Sequence, residues 1–163
     1  MIKRKSSLKP SKSLHRGFIK SEGKIAHKGK QVAKKRRKRT ELTILKEKLW
    51  TECRRIIKAR YGRVCYTCGK TVEKSKGLHL GHFITSSTCS VAMRYDLRNL
   101  RPQCYHCNIN LSGNWVAFSK KLREENGFGA IVEILIEEND ATKGKVYPIS
   151  WFQEKIAEYQ KLL

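Results

Sequence analysis

Acid is what this chain has least of. Fourteen Asp and Glu stand against 36 Lys and Arg, for a net charge of +22 over 163 residues. Such an imbalance predicts an anionic partner, and nucleic acid is the usual one. A merely solubilising tail need not be this basic. Long apolar runs are also missing. Nothing approaches the roughly 18 apolar residues that span a bilayer, so no membrane role is expected. The first residues, MIKRKSSLKPSKSLHRGF, lack the ~7–15-residue apolar region of a secretory signal. The expectation is an intracellular protein whose thiols stay reduced. Hydrophobic residues make up 39% of the chain, enough for one modest core with extensions and not comfortably for two domains.

What is present is organised around six cysteines. Cys65-Tyr-Thr-Cys68-Gly69 and Cys104-Tyr-His-Cys107 are two Cys-x-x-Cys pairs, and they bracket residues 69–103. In a reducing compartment this spacing predicts metal ligation, not disulfides. We expect a structural Zn²⁺ with Cys65, Cys68, Cys104 and Cys107 as its four ligands. Such a site is closed and cannot activate water. Cys53 and Cys89 are left over, as small buried or partly exposed thiols. A knuckle and hairpin followed by a knuckle at a helix start is a treble-clef arrangement. The fold class expected is α+β, a zinc-stabilised treble clef with flanking helices.

Along the chain, residues 1–40 hold 16 Lys and Arg against one acid, Glu22, which is +15 of the total charge. Apolar residues there are sparse, so the segment reads as a disordered basic arm. Its densest cluster, Lys34, Lys35, Arg36, Arg37, Lys38 and Arg39, is expected to neutralise phosphates. Residues 41–163 form the domain, divided into a leading helix (41–61), a zinc core (65–111) and C-terminal helices (114–163). Leu42, Leu45, Leu49, Cys53 and Ile56 recur at helical spacing after the N-cap candidate Thr40, and Gly62 stands where the helix should end. Its outer face carries Lys46, Lys48, Arg54, Arg55 and Lys58 and reads first as a solvated basic face. Leu78–Ile84 alternates like a strand over its first half. A turn or bulge at Gly81 could bring His79 and His82, three residues apart, to one side. Trp115–Glu125 and Ala130–Glu138 read as helices, and Ala141–Val146 as a loop. A final helix follows Pro148, with Ser150 and Gln153 as a capping box and Phe152, Ile156, Tyr159 and Leu163 on one face.

The chemistry concentrates between the knuckles. Phosphodiester hydrolysis needs a base to activate water and a cation to stabilise the transition state. A neutral His suits the first task, and His82 is the candidate. A hard divalent ion such as Mg²⁺ or Mn²⁺ suits the second. Asn108 offers it an amide oxygen beside the zinc, and Asn99 could hold the His-bearing loop and so orient the imidazole. Arg94, Arg98 and Arg101 surround Asn99 as candidate phosphate contacts. His106, between knuckle cysteines, is expected to face solvent or DNA. Trp115, Trp151 and Phe152 are expected to pack.

Taken together, CxxCG, GHF, RNLRPQCYHCN and SGN resemble the HNH, or ββα-metal, nuclease superfamily, and more narrowly the NinG/Rap recombination proteins of lambdoid phages. The similarity covers about residues 41–163 and leaves out the arm. It implies an endonuclease that cuts branched DNA, Holliday junctions and D-loops among them, in the cytoplasm of a phage-bearing bacterial host. It makes His82 the general base, Asn99 the central Asn that positions it, and Asn108 the last metal ligand. Many HNH nucleases place an Asp or His ligand directly before the base, where this chain has Gly81. His79 or Asp96 could substitute, His79 by preference.

Two other readings stay open. A non-catalytic zinc-binding nucleic-acid module explains the charge and cysteines equally well, but not the Gly-His and Asn between them. An HNH nuclease acting on ordinary duplex DNA shares every motif. Paired cuts at a junction would call for a homodimer, with the final helix and the apolar 130–136 segment as candidate interfaces.

Overall fold

Thr40 opens the leading helix. Its extended backbone (φ −74°, ψ 155°) leaves the side-chain oxygen free to accept the Thr43 amide, and α1 runs over Glu41–Tyr61. Gly62, at φ 63°, ends it by donating its amide to the Lys58 carbonyl. Its ψ of −138° lies outside the left-handed helical well, in a region that strongly favours glycine. The computed structural model describes residues 39–73, 77–127 and 129–163, all within one compact unit, Arg37–Leu163. Lys34, Lys35, Arg36, Arg37 and Lys38 lie outside the described residues, as does the expectation for the arm up to Lys38.

The unit is α+β. Strand β1 (Leu78–His82) pairs antiparallel with β2 (Leu100–Cys104), in a register that sets His82 opposite Leu100, Gly81 opposite Arg101 and His79 opposite Gln103. Between the strands run α2 (Val91–Tyr95) and a 3-10 turn (Leu97–Asn99). After β2 come a π-helical turn (His106–Asn110), α3 (Trp115–Glu125), α4 (Ile131–Thr142) and α5 (Ile149–Gln160). Two apolar clusters flank the hairpin. Leu49, Cys53, Ile56 and Ile57 of α1 meet Phe152, Ile156 and Tyr159 of α5, with Tyr95 and Leu100. Phe83 and Met93 meet Phe118 and Leu122 of α3 and Val132 and Leu135 of α4.

Several expectations change. Helix α5 begins at Ile149, with Pro148 as its cap residue and no side-chain cap bond, so Ser150 lies inside the helix and forms no capping box. Proline supplies the entry geometry there, because its fixed φ suits a helix start. Leu163 lies past the helix end and is 54% exposed. Helix α4 continues through Ala141 and Thr142, where a loop was expected, because the Thr142 hydroxyl donates back to the Glu138 carbonyl at 2.7 Å and also meets the hydroxyl of Ser90, the residue that caps α2. The apolar face of α5 is engaged by α1, and Val132 and Leu135 are buried in the second cluster, while Ile134 and Ile136 of α4 stay exposed. No described helix is long and apolar enough to cross a membrane.

Candidate active site and metal centre

The four knuckle cysteines converge. Their sulfurs all lie within 4.8 Å of one another, and Cys68 and Cys104 approach to 3.9 Å. Zn–S bonds of about 2.3 Å in a tetrahedron place sulfurs about 3.8 Å apart, so the cluster has the dimensions of a Cys₄ zinc site. The local chain is built for it. Gly69, at φ 74°, turns the first knuckle so that its amide donates to the Cys65 carbonyl at 2.9 Å. The Tyr66 amide donates to the Pro102 carbonyl at 2.7 Å, tying this knuckle to β2, which ends in Cys104. Asn114 sends its amide to the Cys107 sulfur at 3.8 Å. Cys65, Cys68, Cys104 and Cys107 would therefore hold a metal such as zinc, which cross-links both ends of the 69–103 segment. His106 is exposed and lies outside the cluster, beside Asn110. Cys53 is buried, and burial pushes its thiol up to about 12.

His82 closes β1. Its ring lies parallel to the Trp50 indole of α1, at 5.2 Å between centroids and 4° between planes. Its Nε2 is 3.1 Å from the Arg94 carbonyl of α2. A carbonyl can only accept, so Nε2 carries the proton and the Nδ1 lone pair is left as the basic position. Burial lowers the His82 pKa to about 4. The Arg94 carbonyl pulls it up, and the Arg94 charge pulls it down further. The ring is therefore neutral at physiological pH.

Asn99 is fully buried and grips the chain just past His82. Its Oδ1 accepts the Ile84 amide at 2.7 Å, and its Nδ2 donates to the Met93 carbonyl at 3.0 Å and the Ile84 carbonyl at 3.3 Å. Its own carbonyl accepts the Phe83 amide at 2.9 Å. Asn99 thus fixes the exit from β1 and the end of α2, the two segments that hold the imidazole. Asn108 sits mid-way through the π-helical turn, half-buried, and its side chain makes no hydrogen bond among the described residues.

Other assignments are corrected. β1 and β2 pair without a bulge, so His79 and His82 project to opposite faces, and His79 cannot join His82 at one ion. His79 meets the edge of Tyr105 instead. Asp96 is engaged by Arg98, at 2.7 Å. Gly81 is not a vacancy. A Cβ there would lie 2.0 Å from Gln103 Oε1, so the Gln103 amide fills the room that a side chain at 81 would need. Among the described residues, the Cys₄ cluster is the one group of three or more His, Cys, Asp or Glu with converging ligand atoms. Near His82 no such group converges on a site for Mg²⁺ or Mn²⁺. Arg101 is 5% exposed and locked to Glu125 at 2.8 Å, between the rings of Tyr61 and Tyr66. Arg98 is tied to Asp96 and Glu138. Neither is a free phosphate contact. The Arg94 guanidinium is exposed, bonded among the described residues only to the Ser86 carbonyl at 3.3 Å, and remains available. Arg39 forms an exposed pair with Glu47, of a kind that phosphate can replace. Trp115, expected to pack, stacks on Phe83 with one face yet is 54% exposed.

Comparison with known proteins bears on all of this. The model of the Bacteriophage Lambda NinG protein family matches residues 2–163. The chain belongs to the NinG family. Over 103 residues it is 33% identical to "Protein ninG" of Salmonella phage P22, a match covering 61% of this chain and 45% of that protein. The chain thus spans less than half the length of the curated NinG relative it matches. No solved structure is a significant match. Three residues that shape the surroundings of His82 and of the cysteine cluster were given no role by sequence reasoning. Trp50 stood only beside the apolar stripe of the first helix, while Gln103 and Asn114 entered only as parts of the RNLRPQCYHCN and SGN motifs, with no role of their own. The spacing Trp50–Arg54–Lys58 on one helix stripe was the readable clue for the first.

Proposed function

We propose that this NinG-family chain is a DNA endonuclease with a treble-clef, HNH-type core, acting on branched recombination intermediates such as Holliday junctions and D-loops in the host cytoplasm. One observation carries the reading. His82 is held as a neutral imidazole, with Nε2–H committed to the Arg94 carbonyl and Nδ1 left basic. In this reading Nδ1 takes the proton from a water attacking phosphorus. Trp50 and the Arg94 carbonyl keep the ring from turning, and Asn99 fixes the exit from β1 and the end of α2. The exposed Arg94 guanidinium draws the phosphate towards the ring, and the Asn108 amide is free to bind a phosphate oxygen. A divalent ion would stabilise the leaving oxygen. Among the described residues, no three His, Cys, Asp or Glu side chains converge to cage one beside His82. That same lack of ligands favours a second reading, a zinc-stabilised DNA-binding module that does not cut.

A cleavage assay separates the readings. Zinc-loaded wild type and a folded, zinc-loaded His82→Ala variant are given a four-way junction and a linear duplex of the same sequence, with Mg²⁺, with Mn²⁺ and with neither. Junction-selective cutting that falls at least 100-fold in the variant is expected, the loss typical of a removed general base. Equal cutting of both substrates would point to a duplex nuclease. Tight, salt-sensitive binding with no cutting would leave only the binding module.

A further inference from the structure

Trp50 does more than back His82. It also lines a cleft of about 570 Å³ between α1 and the hairpin. Trp50, Arg54 and Lys58 stand four residues apart on α1 and so share one stripe. Leu80 and Pro102, directly paired across the hairpin, supply apolar wall, and Arg63, just past the helix, adds a third cation. Among the described residues, none that lines the cleft is acidic. Arg54, Lys58 and Arg63 are exposed and have no carboxylate partner among the described residues. The contrast with their surroundings is sharp. Arg55, one residue away, is paired with Glu52 at 2.8 Å, and Arg98, Arg101 and Arg123 all have acidic partners. Arg63 Nη1 donates to the Glu73 backbone carbonyl at 2.6 Å, which holds its guanidinium in place with its charge unneutralised. In a chain short of acid, these three cations surround an apolar floor with an indole at its edge.

Those surfaces fit an anion with a flat apolar body. The volume lies within the ~300–1,000 Å³ range of small-ligand sites. Aromatic and apolar walls take bases by stacking, and cations take the backbone. A base inside a duplex is already paired and stacked, so it cannot enter. We propose that the cleft takes one unpaired nucleotide of a DNA strand, its base against Trp50 and the Leu80–Pro102 wall, its phosphates on Arg54, Lys58 and Arg63. The proposal rests on the reading that this chain acts on DNA. It names the feature of a branch that would be recognised, an unpaired base delivered next to the residue that backs His82.

Binding, not cutting, tests it. The full-length zinc-loaded protein is titrated, without Mg²⁺, into a labelled thymidine oligonucleotide, an abasic strand of equal length and charge, and a blunt duplex. Fluorescence anisotropy is read over a range of salt. Wild type should bind the thymidine strand about tenfold more tightly than the abasic strand, as base stacking on an aromatic wall implies. An Arg54→Ala/Lys58→Ala variant should reduce that preference to less than threefold. Its single-strand salt slope should flatten by about 1.4, at ~0.7 per phosphate contact, while duplex binding changes less than twofold. Equal affinity for thymidine and abasic strands in wild type would overturn the nucleotide site. So would a variant that weakens duplex as much as single strand, the sign of an open phosphate track. A base preference without cleavage of any substrate would leave this site standing and remove the nuclease reading. Cleavage without a base preference would do the reverse.

Discussion

Gly81 and Gln103 show how much one missing Cβ decides. Gln103 is fully buried, donates to the Gly113 carbonyl at 2.7 Å, and puts its Oε1 where a residue-81 side chain would begin. Its Nε2 is held by both the Gly113 carbonyl and the Thr67 hydroxyl, so the amide gives way only by losing those bonds. Gly81→Ala should therefore destabilise the unit by about 1–3 kcal/mol, the range for overpacking a filled interior, read by urea unfolding of zinc-loaded protein. An unchanged midpoint would mean that Gln103 swings away freely. His82 makes a second prediction at this scale. Its folded pKa of about 4 lies below the unfolded value of about 6.5. The unfolded chain then binds a proton that the folded chain refuses, so stability is complete above pH 6.5 and falls as pH drops towards 4. At about 1.4 kcal/mol per unit, the loss from pH 7 to pH 5 is about 2 kcal/mol. Zinc ligands also titrate in acid, so the measured quantity is the difference between wild type and His82→Gln, whose stability should fall less steeply by that amount. Parallel pH profiles would show that burial does not hold the ring neutral.

At the scale of elements, α1 is the part on which the others lean. One stripe packs on α5, a second holds Trp50 against His82, and Tyr61 at its end donates to Glu125 of α3. Burial would raise the Glu125 pKa, but hydrogen bonds from Tyr61, Tyr66 and Arg101 outweigh it and hold the carboxyl below its usual value. Phe152 is 1% exposed in the α1–α5 seam, so Phe152→Ala should cost about 3–5 kcal/mol in thermal or urea unfolding. A loss under 1 kcal/mol would mean that the seam closes over the gap. Those helices were legible because a 3.6-residue period survives any tertiary context: α1 spans Glu41–Tyr61 and α3 spans Trp115–Glu125, the ranges that their periodicity implies. Strand β2 was not legible. All five of its residues are buried, and Leu-Arg-Pro-Gln-Cys has no alternation, because Arg101 is buried through Glu125 and two tyrosines and Gln103 through Gly113. Arg98 and Arg101 looked like phosphate contacts for the same reason. A charge's partner 24 or 40 residues away leaves no mark in the local pattern. Chemistry with local spacing, Cys-x-x-Cys above all, could be read. Chemistry that depends on which face a strand residue takes, as with His79, could not.

For the whole molecule, the question is what holds two apolar clusters on either side of a two-stranded hairpin, since a lone hairpin is marginal in water. The four cysteines answer it. Cys65 and Cys68 precede β1, Cys104 ends β2, and Cys107 lies in the turn that leads to α3, so one ion would join both strands to both clusters. Structural zinc contributes roughly 10–16 kcal/mol of apparent binding energy, comparable with or above the roughly 5–15 kcal/mol net stability of a domain. The Arg101–Glu125 pair, with Tyr61 and Tyr66, then ties the α1 side to the α3 side, so the two halves should not melt separately. Removing the metal with a chelator at pH 7 should therefore unfold the unit cooperatively, with near-complete loss of the far-ultraviolet helical signal, and restoring zinc should recover it. Cys104→Ser should show the same loss without chelator. If the zinc-free protein kept its helicity and a single sharp melt, the sulfur cluster would be an ornament on a self-sufficient core. The division of the core argues against that, because among the described residues its two clusters hold only nine and six buried residues and lie on either side of the hairpin.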